Sequence, residues 1–423
     1  MKPALSSLIL LLGFSGLAQE VIVPSDTAAR ETLRLSSKES TLRFVGLDLF
    51  PHATGQVQYD DNILISHDNP LSDVIWTVSP GMTLAGGGVG AYLPGSVTVE
   101  QLRNLLYYSL VEDVTKPGRF FVVDYTPSFI LYTEHGGYDN VGQSVKLSGG
   151  YSFSRLALGL DFDYTREQVK NSGVGTLTEE SLYDARFRSR YDLTDRTFLE
   201  VNGRYYRLDY ANPAYQGYQE VSEENWLNRT FADRLSVGLG LAVGRDFPQY
   251  SSDQTFERIL ERAVYRLSGK LLFSSALGVE FRQYESGGSG NLHPVLEVTG
   301  TYELREGTTI SLEGHGLQEP SPYGGYDDTR WGGSVGVRQR LFSRLYAEAS
   351  AGYDYILYNF YGTQGQPSSA RSDNYFSGRL ALYYEFNRHV VGSLFYTYYG
   401  DNSSFAAYSY GDSVFGLRVI WRL

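Results

Sequence analysis

The chain has 423 residues, no cysteine, 46 glycines, 35 tyrosines and a formal net charge of −12. Without cysteine there is no disulfide framework, zinc ribbon, iron–sulfur centre or thiol nucleophile. An acidic chain with no lysine or arginine tract is a poor nucleic-acid binder, and an aromatic share of 14% excludes disorder. What needs explaining is an excess of tyrosine and glycine without a matching excess of aliphatic residues.

Residues 1–18 read as a cleavable secretory signal: Lys2, then the apolar run Leu8-Ile9-Leu10-Leu11-Leu12, then small residues at Gly16 and Ala18. The run is shorter than the roughly 20 residues that a spanning helix needs. Residues 19–53 carry mixed charges, among them Asp26, Arg30, Glu31 and Lys38, with no clear period. They are expected to form a periplasmic extension.

From residue 54 the dominant signal is a period of two, the period of a strand. Leu156, Leu158, Leu160, Phe162 and Tyr164 share one face, while Ala157, Gly159, Asp161, Asp163 and Thr165 share the other. Leu235, Val237, Leu239, Leu241 and Val243 alternate with Ser236, Gly238, Gly240, Ala242 and Gly244. Phe415, Leu417, Val419, Trp421 and Leu423 close the chain in the same way. Reading the alternation in chain order predicts strands at 54–66, 73–84, 119–134, 142–153, 155–168, 179–193, 196–210, 218–230 and 233–249. It continues with 254–268, 271–285, 292–304, 307–319, 329–342, 344–361, 372–386, 388–400 and 408–422. The count is eighteen, bracketed by sixteen and twenty.

The connections choose between a sandwich and a barrel. Tight polar turns recur at Ser154, Asp195, Asp233, Ser268, Glu306, Ser343 and Asn387, at intervals of 35 to 44 residues. Midway between them lie Gly-, Ser-, Asn- and Pro-rich segments such as 170–181, 211–222, 318–329, 362–373 and 400–407. A strict alternation of short turns and long loops is the order of an up-and-down transmembrane β-barrel, with short periplasmic turns and long external loops. The fold expected is therefore all-β, a barrel over 54–423. Tyrosine belongs at its interfaces with lipid headgroups, and the clusters Tyr353-Tyr355-Tyr358, Tyr383-Tyr384 and Tyr396-Tyr398-Tyr399 are expected there. Residues 85–118 break the rule as a long insertion on the periplasmic side. They hold a helix-like stretch from Thr98 with Val99, Leu102, Leu105 and Leu106 on one face. A plug, a docking element for a periplasmic partner, or an inert lid would each fit.

The segments Gly46-Leu47-Asp48-Leu49-Phe50-Pro51-His52, Val57-Gln58-Tyr59-Asp60-Asp61-Asn62-Ile63, Ser72-Asp73-Val74-Ile75 and Val78-Ser79-Pro80-Gly81 are distinctive. They resemble the start of outer-membrane β-barrel porins of the "porin 2" type, and Asp124-Tyr125-Thr126-Pro127-Ser128 and Arg371-Ser372-Asp373 also resemble that family. The resemblance implies a barrel in the outer membrane, with exopolysaccharide secretion associated with some members. One departure is the ending Trp421-Arg422-Leu423, where such barrels commonly end in Phe and so address the assembly machinery.

No enzyme chemistry is legible. None of the six histidines, His52, His67, His135, His293, His315 and His389, has serine two residues away, and no His-x-x-x-His pair occurs. The pair His67-Asp68 sits in a polar loop, where such pairs are common. Oxygen clusters at Asp60-Asp61-Asn62, Asp327-Asp328 and Asp401-Asn402 suit either Ca²⁺ or ordinary turn chemistry. No cofactor is expected.

Function then falls to the inward face. A charge facing lipid at the midplane costs about 2–4 kcal/mol, so the polar faces are expected to line the lumen. Those residues are Asp161, Asp163, Glu200, Asn202, Arg204, Glu280, Arg282, Glu313, His315, Arg338, Arg340, Glu348, Asp354 and Arg418. A mixed acidic and basic lining suits passive passage of polar, weakly charged solutes such as saccharides. A non-conducting structural or surface-interaction barrel is the alternative expectation.

Overall fold

The computed structural model describes residues 42–44, 47–87, 118–232, 234–267, 270–286, 290–360 and 371–422. The expected signal at 1–18, residues 19–41 of the extension and residues 88–117 of the insertion, helix-like stretch included, lie outside the described residues.

A three-residue strand, β1 (Leu42–Phe44), precedes the long ones. These are β2 (Leu47–Asp60), β3 (Asp73–Gly87), β4 (Gly118–Tyr132), β5 (Asn140–Ser152), β6 (Leu156–Asn171) and β7 (Thr176–Thr194). Then come β8 (Thr197–Tyr210), β9 (Tyr218–Ala232), β10 (Leu235–Pro248), β11 (Gln254–Leu267), β12 (Leu271–Tyr284) and β13 (Asn291–Arg305). The last six are β14 (Thr308–Pro320), β15 (Tyr326–Phe342), β16 (Leu345–Phe360), β17 (Arg371–Asn387), β18 (Val390–Ser403) and β19 (Tyr410–Arg422). Each long strand pairs antiparallel with the next, and β19 returns to β2, from Val414 opposite Asp60 to Arg422 opposite His52. Among the described residues this is a closed, all-antiparallel barrel of eighteen strands, β2 to β19. Closure leaves no edge, so the wall can sit in hydrocarbon with its backbone groups paired.

Three local departures shape the wall. β2 begins at Leu47, seven residues before the expected boundary at 54. Pro51 hides that start in the sequence. It falls just beyond the β19 ladder, which reaches only to His52, and stands opposite Met82 of β3. The β3–β4 ladder skips from Val78 to Met82, where Pro80 and Pro127 lack N–H donors. The β13–β14 ladder runs only between Leu296 and Arg305, so the two strands part toward the long-loop end.

Several expected loops are partly strand. Of residues 170–181, only 172–175 turn. Polar residues continue the ladders there because their strands rise above the apolar belt.

Outside, the wall is apolar. Leu239, Leu241 and Ile259 are 66%, 61% and 63% exposed, and Val243, Leu277, Leu312, Leu380 and Leu417 extend the belt around the barrel. Water-soluble monomers rarely expose an apolar belt of this kind; lipid is the solvent it suits. Rings stand outward near the short turns, at Tyr151, Phe153, Tyr191, Phe231, Phe342, Tyr384, Phe386 and Trp421. A second set stands nearer the loops, at Tyr59, Phe247, Tyr353, Tyr355, Phe376, Tyr396 and Tyr398. Three expected girdle tyrosines are elsewhere: Tyr358 and Tyr383, 2% and 0% exposed, and the half-buried Tyr399 point inward, because strand parity turns them away from Tyr355, Tyr384 and Tyr398. The belt is also breached. Glu223 on β9 and Glu257 and Glu261 on β11 are exposed on the outward face, against the expectation that charge turns inward throughout.

Candidate functional site

The inner face is a lattice of ion pairs, within strands and between them. On β6, Asp161 accepts the Ser148 hydroxyl at 2.6 Å and pairs with Arg188 of β7. Asp163 stands opposite Asp184, which Arg204 approaches at 3.2 Å. Glu200 accepts Asn228 at 2.9 Å and pairs with Arg262 of β11, while Asn202 stands opposite Arg188 and Glu224. Glu280 joins Arg282 at 2.7 Å and Arg258 at 2.6 Å.

His315 reaches Asp354 at 2.7 Å across β15, with Glu313 beside it on β14. Arg338 stands opposite Glu348, and Arg418 donates to Gln56 at 2.5 Å. Arg340 differs: it is exposed at the short-turn rim, its backbone N–H bonded to Gly307 at 2.6 Å, because the turn at 306–307 brings it to the barrel's end.

Arginines on this face lie over rings. Arg262 covers Trp226 at 4.4 Å, Arg258 covers Phe256 at 4.3 Å, and Arg204 covers Tyr206 at 4.5 Å. Glycine makes room for them: a Cβ at Gly240 would come within 2.7 Å of the Trp226 ring, and one at Gly244 within 2.2 Å of Phe256. The inward glycines of β10 are thus seats for aromatic side chains of β9 and β11.

Where β13 and β14 part, a buried polar network fills the notch. Arg282, 1% exposed, donates to Asp246 and Gln254 at 2.6 Å each and to the Gln318 carbonyl at 3.2 Å. Asp327 accepts Tyr284 at 2.5 Å, Gln254 at 2.8 Å and Gln318 at 2.7 Å. A buried charge is tolerable only when its hydrogen bonds are filled in this way.

The long-loop end is drawn together across the barrel. Arg371, at the start of β17, donates to the carbonyls of Gly173 at 2.7 Å and Ser172 at 2.9 Å, in the β6–β7 turn. Asp373 pairs with the same guanidinium, which lies 3.6 Å over Tyr408. Tyr323, between β14 and β15, reaches the Val174 carbonyl at 3.3 Å and the Tyr408 hydroxyl at 3.1 Å. Burial, then the neighbouring Tyr408 hydroxyl, push the Tyr323 phenol above its usual range. Gln216, between β8 and β9, bonds Ser321 at 3.0 Å and accepts Ser251 at 2.6 Å. Gly175, at φ +71°, is required here: a Cβ would stand 2.8 Å from the Tyr408 ring. These connections form a cap over the lumen.

Of the fourteen expected lining residues, the structure joins His315 with Asp354 and Glu280 with Arg282, and sets Arg338 against Glu348. Asp161, Glu200 and Arg204 instead pair with Arg188, Arg262 and Asp184, and Glu280 and Arg282 also reach Arg258 and Asp246, none of which the sequence reading named. Parity sets each of them on the inward face of its strand, but no inward residue of β7 or β11 was named from the sequence. Among the described residues no three carboxylate or imidazole groups converge as metal ligands, so the suspected Ca²⁺ clusters gain no support.

No protein-family model and no curated protein matches the chain. Among solved structures, Pseudomonas aeruginosa OccK2 (OpdF) overlaps at a TM-score of 0.48 with 11% identity, covering 89% of this chain and 97% of that one. Pseudomonas aeruginosa OpdL overlaps at 0.44 with 10% identity over 90% and 99% of the two chains. Acinetobacter baumannii OccAB3 overlaps at 0.45 with 10% identity over 89% and 100%. Likeness at this level carries no argument about function.

Proposed function

We propose that the chain is a passive pore for polar solutes in the outer membrane of a Gram-negative bacterium. The observation that carries this reading is a closed barrel, apolar outside and lined inside by paired charges and arginine-covered rings. In this reading 1–18 is the export signal and the short turns face the periplasm. Lipid surrounds the belt, and the barrel-assembly machinery inserts it. The inward residues from Asp161 to Arg418 line the passage, with Arg340 at its periplasmic rim. A wall offering carboxylates, guanidinium groups and ring faces suits hydroxyl-rich solutes such as saccharides. A link to exopolysaccharide rests on the "porin 2" resemblance of the opening strands.

The insertion at 85–118, on the periplasmic side, is in this reading a plug or a docking element. The test is planar-bilayer recording on the purified, refolded protein. Discrete conductance steps are expected, and a silent barrel would defeat the pore. Deleting 86–116 separates the two roles of the insertion, since unchanged conductance removes the plug.

A further inference from the structure

Beneath the cap, five buried aspartates form an arc on the inner face: Asp60 on β2, Asp412 on β19, Asp401 on β18, Asp373 on β17 and Asp328 on β15. Register places them side by side. Asp412 is opposite Tyr399, Asp401 is opposite Tyr410 and Tyr375, and Asp328 is opposite Tyr358, which is opposite Arg371. Three cations face them. Lys170 stands 2.6 Å from both Asp60 and Asp412, Arg371 holds Asp373, and Arg330 acts on Asp328 and Asp401. Counted as ionised, five carboxylates against three cations would leave the arc two positive charges short.

The shortfall has a place. Asp401 is 4% exposed, and neither of its carboxylate oxygens has a hydrogen-bond partner. One oxygen each of Asp328 and Asp412 and the hydroxyl of Tyr358 are unpartnered too. Buried acceptors without donors are costly and uncommon in folded proteins. Around Asp401 stand the rings of Tyr375 and Tyr410, in one apolar cluster with Ile65 and with Tyr399 packed against it. Carboxylate acceptors beside ring faces form the chemistry that receives an ammonium head: three N–H donors for the oxygens, and cation–π attraction for the charge. A bare metal ion is a poorer fit, since the described residues hold no converging ligand set.

We propose that this arc is a binding site for an organic ammonium ion, seated on Asp401 between the Tyr375 and Tyr410 rings. As a statement of what passes through the barrel it rests on the pore reading; as a binding site it does not. Butane-1,4-diamine is the probe, titrated by calorimetry into the full, detergent-folded barrel, with butane-1,4-diol as the neutral comparison. The diamine is expected to bind and the diol not to. D401N should weaken diamine binding tenfold or more, and Tyr358→Phe should weaken it less. Both variants are checked for the heat-sensitive electrophoretic mobility of a folded barrel. In bilayers the diamine should block current, and a tenfold KCl gradient should give a cation-selective reversal potential that D401N reduces. Diamine binding no tighter than diol binding, or unchanged in D401N with Tyr358→Phe also unchanged, overturns the site and leaves water as its occupant. A silent barrel that still binds the diamine defeats the pore and keeps the site. A conducting barrel that neither binds it nor prefers cations does the reverse.

Discussion

At the first residue of β3, one carboxylate organises a whole connection. Asp73 accepts the backbone N–H groups of Thr133 at 3.0 Å, Glu134 at 3.1 Å and His135 at 2.8 Å, and the His135 ring at 2.9 Å. Burial opposes its charge, but the Glu134 and His135 donors outweigh burial and hold the carboxyl below its ordinary value. The sign follows. Its contribution is complete above the ordinary carboxylate range and is lost as pH falls through the depressed value. Asp73→Ala should cost about 1–3 kcal/mol, read as a lower urea midpoint for the barrel refolded in vesicles. The deficit should vanish in acid, where the wild type loses the same bonds. Parity made the inward position of many such residues legible in the sequence: Asp161, Glu200 and Glu280 follow from the apolar neighbours on either side. Their partners were not legible, because Arg188, Arg262 and Arg258 meet them through a register that parity alone does not set. Tyr358 and Tyr383 show the complementary error, in which clustering of rings was weighed above the face each occupies.

Among the elements, the strands were legible and the cap was not. Eighteen alternating segments match eighteen strands, since half of every strand must meet lipid and half must not. The cap carries no such period. It is built from backbone carbonyls at 172 and 173, reached by Arg371 from the far side of the barrel, and from ring contacts among Tyr215, Tyr323 and Tyr408. Composition marks those segments only as polar. Arg371→Ala removes two charge-assisted bonds and should weaken the cap by about 3 kcal/mol, at roughly 1.5 kcal/mol each. The expected outcome is a larger and noisier single-channel conductance together with a lower unfolding midpoint, because the buried Asp373 loses its guanidinium. Unaltered conductance would mean that solutes pass without meeting the cap.

At the scale of the molecule, the barrel's stability reflects the contrast between its two faces, and the breach on β9 and β11 tests that contrast. Leu241→Arg should cost about 2–4 kcal/mol in lipid, measured by unfolding from vesicles. Glu261→Leu should do the opposite and stabilise by up to about 2 kcal/mol. A loss of stability on that change would show that another protein, not lipid, covers the strip. The seam between β19 and β2 carries a different consequence. Every other pairing of the long strands joins sequence neighbours, whereas this one joins Val414 to Asp60 across 354 residues. Closing a chain of that length costs about 5 kcal/mol of entropy, so hairpins zip early and the seam closes last. Nine residue pairs hold it, as few as hold β13 to β14. Hydrogen exchange should therefore find the amides facing that seam opening ahead of the rest, and synthesis must reach the final strand before the wall has an inside at all.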